Sequence, residues 1–476
     1  MTDPSRTKVA IVGAGAGGVL LASALARPGE LFDVVLIDPK PGRGLAYGCA
    51  DEQMLLNTPA GAMSLDAESP DGFVHWLNAY RSRPRRWCAE DFAPRRLLGD
   101  YLADRLRNLE ARTPGLGTTR AIAARVETIE RAPSGWTLRL SSRERLFADV
   151  VVLATGPARP RPLIFNGREL IESYVQDDPW DEAAARKAHD GREVLLVGAA
   201  LTAADIAAAF WRRDPSTRVI AVSRHGLAPR VHSDLPANAP ALAAPYPSTA
   251  RELHTRLCNS AGFVEEEASI RPGVFAGLNS VGAQVWARLP DEERRMFLRH
   301  FRSYWDVERH RLAPALGAVL QDAIASGRLE LIRGRIAEAR PLKDGSGARV
   351  AVLTNAGPRA LTVGAVVNCT GPEPDPYRSR NPLLLDLLAQ GIVSADPLGL
   401  GLQVDGDCAA IDASGEVSCD LFAMGALTQG QFFEVTAFPE IRGQAARLAR
   451  LIASSRDRSP GQRTSAPGAL VVELRR

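Results

Sequence analysis

Two glycine-rich turns and two matching strand ends predict an α/β fold with two Rossmann-like dinucleotide-binding units. The first turn begins at Gly13, after a short apolar run and before a helical pattern. A related turn begins at Gly198 in the same setting. The matching strand ends are residues 155–156 and 370–371, which both read Thr-Gly. Because strand, turn and helix recur in the same order, we predict a duplicated fold, with a β-meander in each unit and a helical insertion in the second.

The first glycine-rich turn has the spacing of a dinucleotide-binding motif. Residues 9–12 read as a buried strand, and Gly13 permits the tight turn that follows it. Gly15 lets the backbone approach a pyrophosphate, and Gly18 lets the next helix, predicted over residues 19–26, pack closely on the sheet. The N-terminus of that helix directs N–H groups and a partial positive charge at the phosphates.

A carboxylate completes this motif. A second apolar strand over residues 32–37 ends in Asp38, which is placed to accept hydrogen bonds from an adenosine ribose. The alternative, a glycine-rich helix start without a ligand, explains the glycines but not the acid. The first unit then alternates as antiparallel strands do, over residues 124–130, 136–140 and 145–147, and it closes with the strand 150–156.

The second unit repeats this order but departs from the motif. The strand 193–198 leads into a helix that contains Thr202, and the three glycine positions read Gly198, Ala200 and Ala203. Ala200 places a methyl group where the backbone should approach the phosphates, which favours a looser site. A decayed site kept as scaffold is the alternative. A second meander is predicted over residues 329–332, 336–341 and 348–354, followed by the closing strand 366–371.

The ligand of the second unit is indicated by the end of its second strand. Where the first unit has Asp38, this unit has Ser223 and Arg224, followed by a histidine. Without a carboxylate for a free ribose hydroxyl, and with an arginine present, this end suits a 2′-phosphate. We therefore predict FAD in the first unit and NADPH in the second. A protein that holds two dinucleotides usually passes a hydride between them.

The composition is that of an ordinary globular protein. The chain has 476 residues, of which 45% are hydrophobic and 24% charged, and its formal net charge is +3. This length suits two or three domains, and so small a charge argues against nucleic acid or a membrane surface as a partner. No segment offers the roughly 18 uninterrupted apolar residues of a membrane span. A cytoplasmic protein is predicted.

The six cysteines argue against two further kinds of site. They are scattered along the chain with no Cys-x-x-Cys pair, which argues against a structural zinc site and against a redox-active dithiol. The chain also has no Gly-x-Ser-x-Gly elbow and no His-x-x-x-His metal pair. No metal and no protein nucleophile are therefore predicted.

As a set, these motifs resemble the FAD/NAD(P)-binding oxidoreductases related to flavin monooxygenases, a family that includes bacterial FAD-dependent urate hydroxylases. The resemblance lies in residues 13–18, 42–48, 56–59, 92–96, 99–102, 223–232, 304–314 and 425–442. It implies FAD and NAD(P)H as cofactors. It also implies an FAD-binding domain made of residues 1–165 and 372–476, with the NAD(P)H-binding domain, residues 166–371, inserted between them. The helical insertion falls at about residues 235–325.

Several residues in the matching stretches are candidates for binding the cofactors. Arg43 lies in a glycine-rich loop that can wrap the adenosine and pyrophosphate, although an ordinary loop is equally consistent with the sequence. The strand ends that pass close to a cofactor contribute Thr155, Gly156, Thr370 and Gly371. A third strand end begins at Gly425; related flavoproteins usually carry an aspartate on the ribityl chain there, where this sequence has Ala426. Backbone N–H groups or Thr428 must therefore take that role.

The candidates for catalysis lie in other parts of the matching stretches. Asn57 precedes a Thr-Pro pair, so its amide either faces the flavin or belongs to a turn. Arg309 and His310 lie where a helical pattern breaks, and arginine suits planar anions, although most arginines in that segment belong to a solvated face. Glu434 lies in an apolar stretch, where it needs either a catalytic role or an ion pair with Arg442.

The function predicted is that of an NADPH-using, FAD-dependent monooxygenase. It would hydroxylate a small polar substrate with O₂ through a peroxyflavin, and the anion urate is the specific hypothesis. One alternative is an NAD(P)H-dependent flavin reductase or oxidase that does not hydroxylate. The other is a flavin-binding sensor or scaffold with a degraded second site. The polar tail, residues 454–467, is predicted to be a linker before a short strand at residues 469–474.

Overall fold

The computed structural model describes residues 6–26, 32–48, 54–80, 86–111, 117–165, 168–170, 174–180, 192–232, 245–259, 263–264, 269–270 and 282–455. Residues 454 and 455 of the predicted linker are instead the end of the helix Phe438–Ser455. The rest of that linker, residues 456–467, and the predicted strand at residues 469–474 lie outside the described residues. No helix within these ranges is both long enough and apolar enough to cross a membrane.

The strands and helices are as follows. The strands are β1 (Thr7–Val12), β2 (Phe32–Asp38), β3 (Thr118–Ala123), β4 (Val126–Arg131), β5 (Trp136–Leu140), β6 (Arg145–Ala148), β7 (Val150–Leu153), β8 (Ile164–Phe165), β9 (Arg168–Glu169), β10 (Val175–Gln176), β11 (Glu193–Val197), β12 (Val219–Ser223), β13 (Phe263–Val264), β14 (Ser269–Ile270), β15 (Leu329–Pro341), β16 (Ala348–Thr354), β17 (Gly357–Asn368), β18 (Ala409–Ile411) and β19 (Val417–Ala423). The α-helices are α1 (Ala16–Leu25), α2 (Gly44–Tyr47), α3 (Gly72–Ala79), α4 (Arg95–Glu110), α5 (Leu201–Arg213), α6 (Ala250–Asn259), α7 (Gly282–Arg288), α8 (Asp291–His300), α9 (Arg302–Arg309), α10 (Pro314–Ala325), α11 (Pro382–Ala389), α12 (Gln429–Phe432) and α13 (Phe438–Ser455).

The first large sheet has the strand order β18-β19-β7-β1-β2-β3. All neighbours are parallel except β18 and β19, which are antiparallel. The four residues of β7 are all buried, as expected for a parallel strand covered on both faces. Helices α1, α3, α4 and α13 cover one face. The separate meander β4-β5-β6 and helix α11 cover the other. This sheet therefore joins segments from both ends of the described chain.

The second large sheet has the order β10-β17-β11-β12-β15-β16. Here the meander is continuous with the parallel sheet, because β15 pairs with β12 over residues 329–333 and with β16 over residues 334–341. The sequence predicted two strands over that segment. The structure has one strand with a register shift between Ile336 and Glu338, and such a bulge turns a strand without ending it.

Helices α5 and α10 pack on one face of the second sheet, so the C-terminal end of the predicted helical insertion is part of this layer. Helices α6 to α9 form a smaller cluster that reaches the other unit. Within it Trp286 stacks on Phe433 with ring centroids 4.4 Å apart, and the Trp286 Nε1–H donates to the Gly430 carbonyl at 2.8 Å. The predicted fold class, two Rossmann-like units each with a β-meander, is confirmed by this topology.

Candidate cofactor and substrate cleft

Both glycine-rich turns open onto one cleft of about 3010 Å³. The predicted site residues that line it are Gly13, Gly15, Asp38, Arg43, Thr155, Gly156, Gly198, Thr202, Ser223, Arg224, His310, Thr370, Gly371, Gly425 and Glu434. The cleft lining does not include Gly18, Asn57, Arg309 or Thr428. The structure therefore brings most of the predicted residues of both units to one continuous surface.

The first turn has a backbone that only glycine fits. Gly13 has a φ of +112°, and a Cβ there would lie 2.2 Å from the Ala154 carbonyl oxygen. A Cβ at Gly18 would lie 2.1 Å from the Gly13 carbonyl oxygen, which agrees with its predicted packing role. Gly15 precedes the first residue of α1, so the helix N-terminus faces the cleft without a side chain in front of it. We call this arrangement of Gly13, Gly15 and the N-terminus of α1 the first cradle. It fits a dinucleotide pyrophosphate.

Asp38 holds the first turn in place. Its two carboxylate oxygens accept hydrogen bonds from the backbone N–H groups of Ala14, at 3.0 Å, and Lys40, at 2.7 Å. Each oxygen keeps a further lone pair for a ribose hydroxyl. Arg43 is partly committed elsewhere, because its guanidinium forms an ion pair with Asp100 at 2.6 Å, although 49% of the side chain remains exposed.

The second turn, formed by Gly198, Ala200 and the N-terminus of α5, repeats this geometry and is called the second cradle. Gly198 has a φ of +116°, and a Cβ there would lie 2.3 Å from the Cys369 carbonyl oxygen. Ala203, in the place of Gly18, is buried, so this turn accommodates a methyl group. Ala200 precedes helix α5 and is exposed in the cleft. The residues present fit a dinucleotide whose phosphates lie one methyl group further from the helix than in the first unit.

The end of β12 is positively charged. The Ser223 hydroxyl accepts a hydrogen bond from the Gly226 N–H at 3.0 Å. Burial, and then the charges of Arg224, Arg333 and Arg335, lower the pKa of His225. The imidazole is therefore neutral at physiological pH, and the three guanidinium groups supply the positive charge. Sequence reasoning missed Arg333 and Arg335, which β15 brings alongside β12 from more than a hundred residues away.

At the third strand end, the Thr428 hydroxyl is engaged within the protein. The Thr428 hydroxyl is fully buried, donates to the Gly425 carbonyl at 2.9 Å and accepts from Gln444 Nε2 at 2.9 Å. The Gln444 Oε1 accepts from the Gly425 N–H at 2.7 Å. Residues 425–427 line the cleft and Thr428 does not. Gln444, which the sequence analysis missed, holds the backbone of Gly425.

Glu434 lies where helix α9 meets the loop after α12. Its carboxylate accepts a hydrogen bond from Trp305 Nε1 at 2.7 Å and forms an ion pair with Arg309 Nε at 3.1 Å. The alternative of an ion pair between Glu434 and Arg442 is wrong, because the Arg442 guanidinium donates to the Ser64 carbonyl at 2.7 Å. The contact with Arg309 spans 125 positions of the chain, which sequence spacing does not reveal.

Asp306 was missed by the sequence analysis, although its i,i+4 spacing from His310 was a usable signal. The two side chains approach to 3.7 Å, and Arg302 lies 3.4 Å from the same carboxylate. All three residues line the cleft. Burial raises the pKa of Asp306 and the nearby Glu434 adds to this, while Arg302 and His310 oppose it.

The raised pKa of Asp306 predicts a pH dependence of stability. In the window between the ordinary aspartate pKa, about 3.9, and the raised value, the folded state binds more protons than the unfolded state. This contribution to stability is fully present below the window and is lost as pH rises through it. We expect Asp306→Asn to flatten that slope and to raise the thermal midpoint at neutral pH. Thermal unfolding of both proteins between pH 4 and pH 7 checks this; an identical slope would contradict it.

Asn57, a candidate for a flavin contact, is not among the residues that line the cleft. Its backbone carbonyl accepts a hydrogen bond from the His232 Nε2 at 2.9 Å. Since a carbonyl only accepts, Nε2 carries the proton. Burial lowers the pKa of His232, in agreement with a neutral ring. Asn57 is therefore part of a contact between the two units.

The described cysteines include no disulfide. Cys88 and Cys419 are exposed thiols, and Cys369 and Cys408 are buried thiols. Burial raises the pKa of Cys408 to about 11, so this thiol stays protonated and unreactive at neutral pH.

Comparison with known proteins agrees with this geometry. Residues 10–158 match the sequence model of a family described as FAD-NAD(P)-binding. A search of curated proteins finds no significant match.

Three similar solved structures are monooxygenases with low sequence identity. The ornithine N-hydroxylase of Kutzneria sp. 744, solved with reduced FAD, NADP⁺ and L-ornithine, is 16% identical, with a TM-score of 0.64 over 95% of this chain and 100% of that chain. The cadaverine monooxygenase of Erwinia amylovora, bound to FAD, is 15% identical, with a TM-score of 0.65 over 98% of this chain and 99% of that chain. The L-lysine 6-monooxygenase of Pseudomonas syringae is 17% identical, with a TM-score of 0.61 over 94% of this chain and 100% of that chain.

The resemblance stated from the motifs is thereby confirmed. Residues 10–158 carry a FAD-NAD(P)-binding domain, and the chain has the fold of FAD/NAD(P)-binding oxidoreductases related to flavin monooxygenases.

Proposed function

We propose that this protein is an FAD-dependent monooxygenase that uses NADPH and O₂ to hydroxylate a small polar substrate. The observation that carries the proposal is the duplicated cradle, since Gly13 and Gly198 adopt the same conformation against equivalent strand ends. Both cradles open onto one cleft. Two dinucleotides held in this way can exchange a hydride. The second turn keeps this geometry despite Ala200, which favours the monooxygenase over the sensor or scaffold alternative.

The residues of the first cradle would hold FAD. Gly13 and Gly15 leave room for the pyrophosphate, Asp38 accepts from the ribose, and residues 425–427 face the rest of the molecule. The second cradle would hold NADPH in the same way. When bound and reduced, FAD supplies the activation of O₂, so the chain needs no nucleophile of its own.

The substrate would bind at the end of the cleft formed by α9 and residues 433–436. Glu434, held by Trp305 and Arg309, forms a fixed polar wall there. Phe433, which stacks on Trp286, also lines the cleft and would limit the access of water to the substrate. His310, next to Asp306 and open to the cleft, would accept a proton from the substrate as it is hydroxylated.

Two substrate classes fit the charges at this end. Arg302 suits an anion such as urate, whereas Asp306 and Glu434 suit an ammonium group. Urate rests on the motif resemblance alone, since the similar structures are named for ornithine, cadaverine and lysine. We retain the wider class of small polar substrates and treat urate and primary amines as its two members to be tested.

The test is the balance of NADPH, H₂O₂ and product in air. The purified flavoprotein would be assayed with urate, ornithine, lysine and cadaverine, and each mixture analysed by mass spectrometry for a product 16 mass units heavier. We expect one substrate class to raise NADPH consumption and to lower H₂O₂ release in proportion to hydroxylated product. Equal amounts of NADPH consumed and H₂O₂ released with every substrate would favour the oxidase alternative.

The charge at the end of β12 predicts cofactor selectivity. We expect Arg224→Ala to weaken NADPH binding about tenfold, equivalent to the loss of one exposed charge-assisted hydrogen bond. NADH lacks the 2′-phosphate, so its affinity should be unchanged. Titration of both nucleotides checks this, and Arg349→Ala serves as a control because Arg349 is exposed on β16 away from the cleft. Equal losses for both nucleotides would contradict the assignment.

A further inference from the structure

Three of the sequence stretches that carry the family resemblance, residues 56–59, 92–96 and 223–232, meet away from the two cradles. Residues 54–56 and 93–95 pair through backbone hydrogen bonds, from Leu56 N–H to the Ala93 carbonyl and from Arg95 N–H to the Met54 carbonyl, both at 2.8 Å. Both segments belong to the first unit. They lie against α5 and residues 230–232 of the second unit, where Met54 is buried with the core of that unit.

A buried ion pair crosses this boundary. Arg95 Nη2 lies 2.8 Å from Asp205 Oδ2, and the two side chains are only 14% and 2% exposed. Arg95 also donates from Nε to the Leu55 carbonyl at 3.0 Å. The guanidinium is therefore held on the first unit by the backbone and on the second by a carboxylate. Its two donating nitrogens fix its orientation.

Each partner of this ion pair lies directly behind cleft-lining groups. The Arg95 guanidinium is 5.6 Å from the centre of the Trp180 ring, and Trp180 lines the cleft. Asp205 lies in the second turn of α5, the helix that starts at the second cradle. A Cβ at Gly198, in the turn before that helix, would lie 2.3 Å from the Cys369 carbonyl oxygen, so the second cradle has little room to shift on its own. A shift of this pair would therefore move the second cradle relative to the first.

We infer that Arg95 and Asp205 are positioning residues, whose ion pair fixes the orientation of the two cradles so that a hydride can pass between their ligands. The inference rests on the proposed function. In the step concerned, NADPH loses a hydride and becomes NADP⁺, and FAD gains the two electrons and the proton. A hydride moves only across a short, aligned gap, so an error of about 1 Å costs about 100-fold in rate. The hydrogen bond from His232 to Asn57 supports the same boundary.

A double variant separates positioning from stability. Arg95→Met alone removes the Arg95 cation from beside the buried Asp205 carboxylate and is expected to destabilise the fold. Arg95→Met/Asp205→Leu replaces the pair by apolar groups of similar volume, which commonly restores stability, but it lacks directional contacts. If the pair only stabilises the protein, the double variant should behave like the wild type. Asp205→Asn, which keeps the shape and loses the charge, is the mild variant.

The measurement has two readouts. Anaerobic stopped-flow absorbance gives the limiting rate of flavin reduction per bound FAD and the apparent Kd for NADPH. Hydrogen–deuterium exchange of residues 54–57 and of α5 reports on the boundary without any turnover. For the double variant we expect a reduction rate about 10–100-fold lower, a Kd changed by less than about threefold, and faster exchange in both segments. Asp205→Asn should lie between it and the wild type.

Arg131→Met is the matched control, because Arg131 forms a 2.7 Å ion pair with Asp420 that joins distant segments within one unit. This variant should leave unchanged both the rate of flavin reduction and the hydrogen–deuterium exchange of residues 54–57 and α5. A double variant with normal reduction would overturn the inference, whether or not its exchange is faster. A wild-type flavin that NADPH does not reduce would overturn the proposed function as well, which distinguishes the two failures.

Discussion

Gly13→Ala is expected to abolish FAD binding and to destabilise the protein by at least about 3 kcal/mol. The φ of Gly13 is +112°, which L-residues rarely adopt, and the new methyl group would lie 2.2 Å from the Ala154 carbonyl oxygen. Neither atom is at the end of a flexible side chain, so the turn or the strand must move. FAD content after purification and the thermal midpoint measure the two effects.

Two other glycines supply controls for this prediction. Gly156 also has a positive φ, +72°, but a Cβ there meets nothing within 4 Å, so Gly156→Ala should cost only about 1–2 kcal/mol. Gly443 lies within α13 and its Cβ would also meet nothing, so Gly443→Ala should be neutral or stabilising. If Gly13→Ala retained FAD as well as Gly443→Ala does, the assignment of the first cradle would be wrong.

Arg309→Met is expected to lower both the stability and the turnover of the protein. Arg309 forms ion pairs with Glu434 at 3.1 Å and with Glu440 at 3.2 Å, and its side chain is only 16% exposed. Its removal takes the cation away from both carboxylates, of which Glu434 is 13% and Glu440 34% exposed. We expect a loss of about 2–4 kcal/mol, somewhat below the cost of breaking a fully buried pair. Turnover should fall as well, because Arg309 would no longer hold the Glu434 carboxylate in a fixed orientation at the substrate end of the cleft.

The pH dependence of this variant identifies the cause. Removal of the cation favours the protonated form of both carboxylates, so the variant should regain stability as pH falls. Denaturant unfolding at pH 5 and pH 8 measures this difference. Arg299→Met is the control, because Arg299 is exposed on α8. A loss that is the same at both pH values would show that packing, and not charge, makes Arg309 important.

The first cradle could be predicted from sequence because its determinants are local. Gly13, Gly18 and Asp38 lie within 26 positions of one another, and each is required by a backbone conformation or by a contact within one strand–helix–strand unit. The second cradle was also recognisable, since Gly198 keeps the conformation of Gly13. Ala200 and Ala203, which stand where the motif has glycine, change how closely a ligand is expected to approach the helix, but they do not change the fold.

The site at the other end of the cleft was less predictable, because its contacts join distant segments. The sequence identified Glu434 as a residue that needs a partner. The partner is Arg309 rather than Arg442 because helix α9 lies across the loop after α12. Thr428 was a reasonable candidate for the ribityl chain until Gln444 was seen to bind its hydroxyl.

The sequence by itself determined the two dinucleotide units, their strand ends and the predicted cofactors, because short-range backbone geometry specifies them. Only the tertiary structure decided which side chains meet across the units, including Arg95 with Asp205 and His232 with Asn57. The physical reason is that such pairs depend on how whole layers pack. Layer packing is set by the sum of many apolar contacts along the chain and not by the spacing of the residues that finally touch.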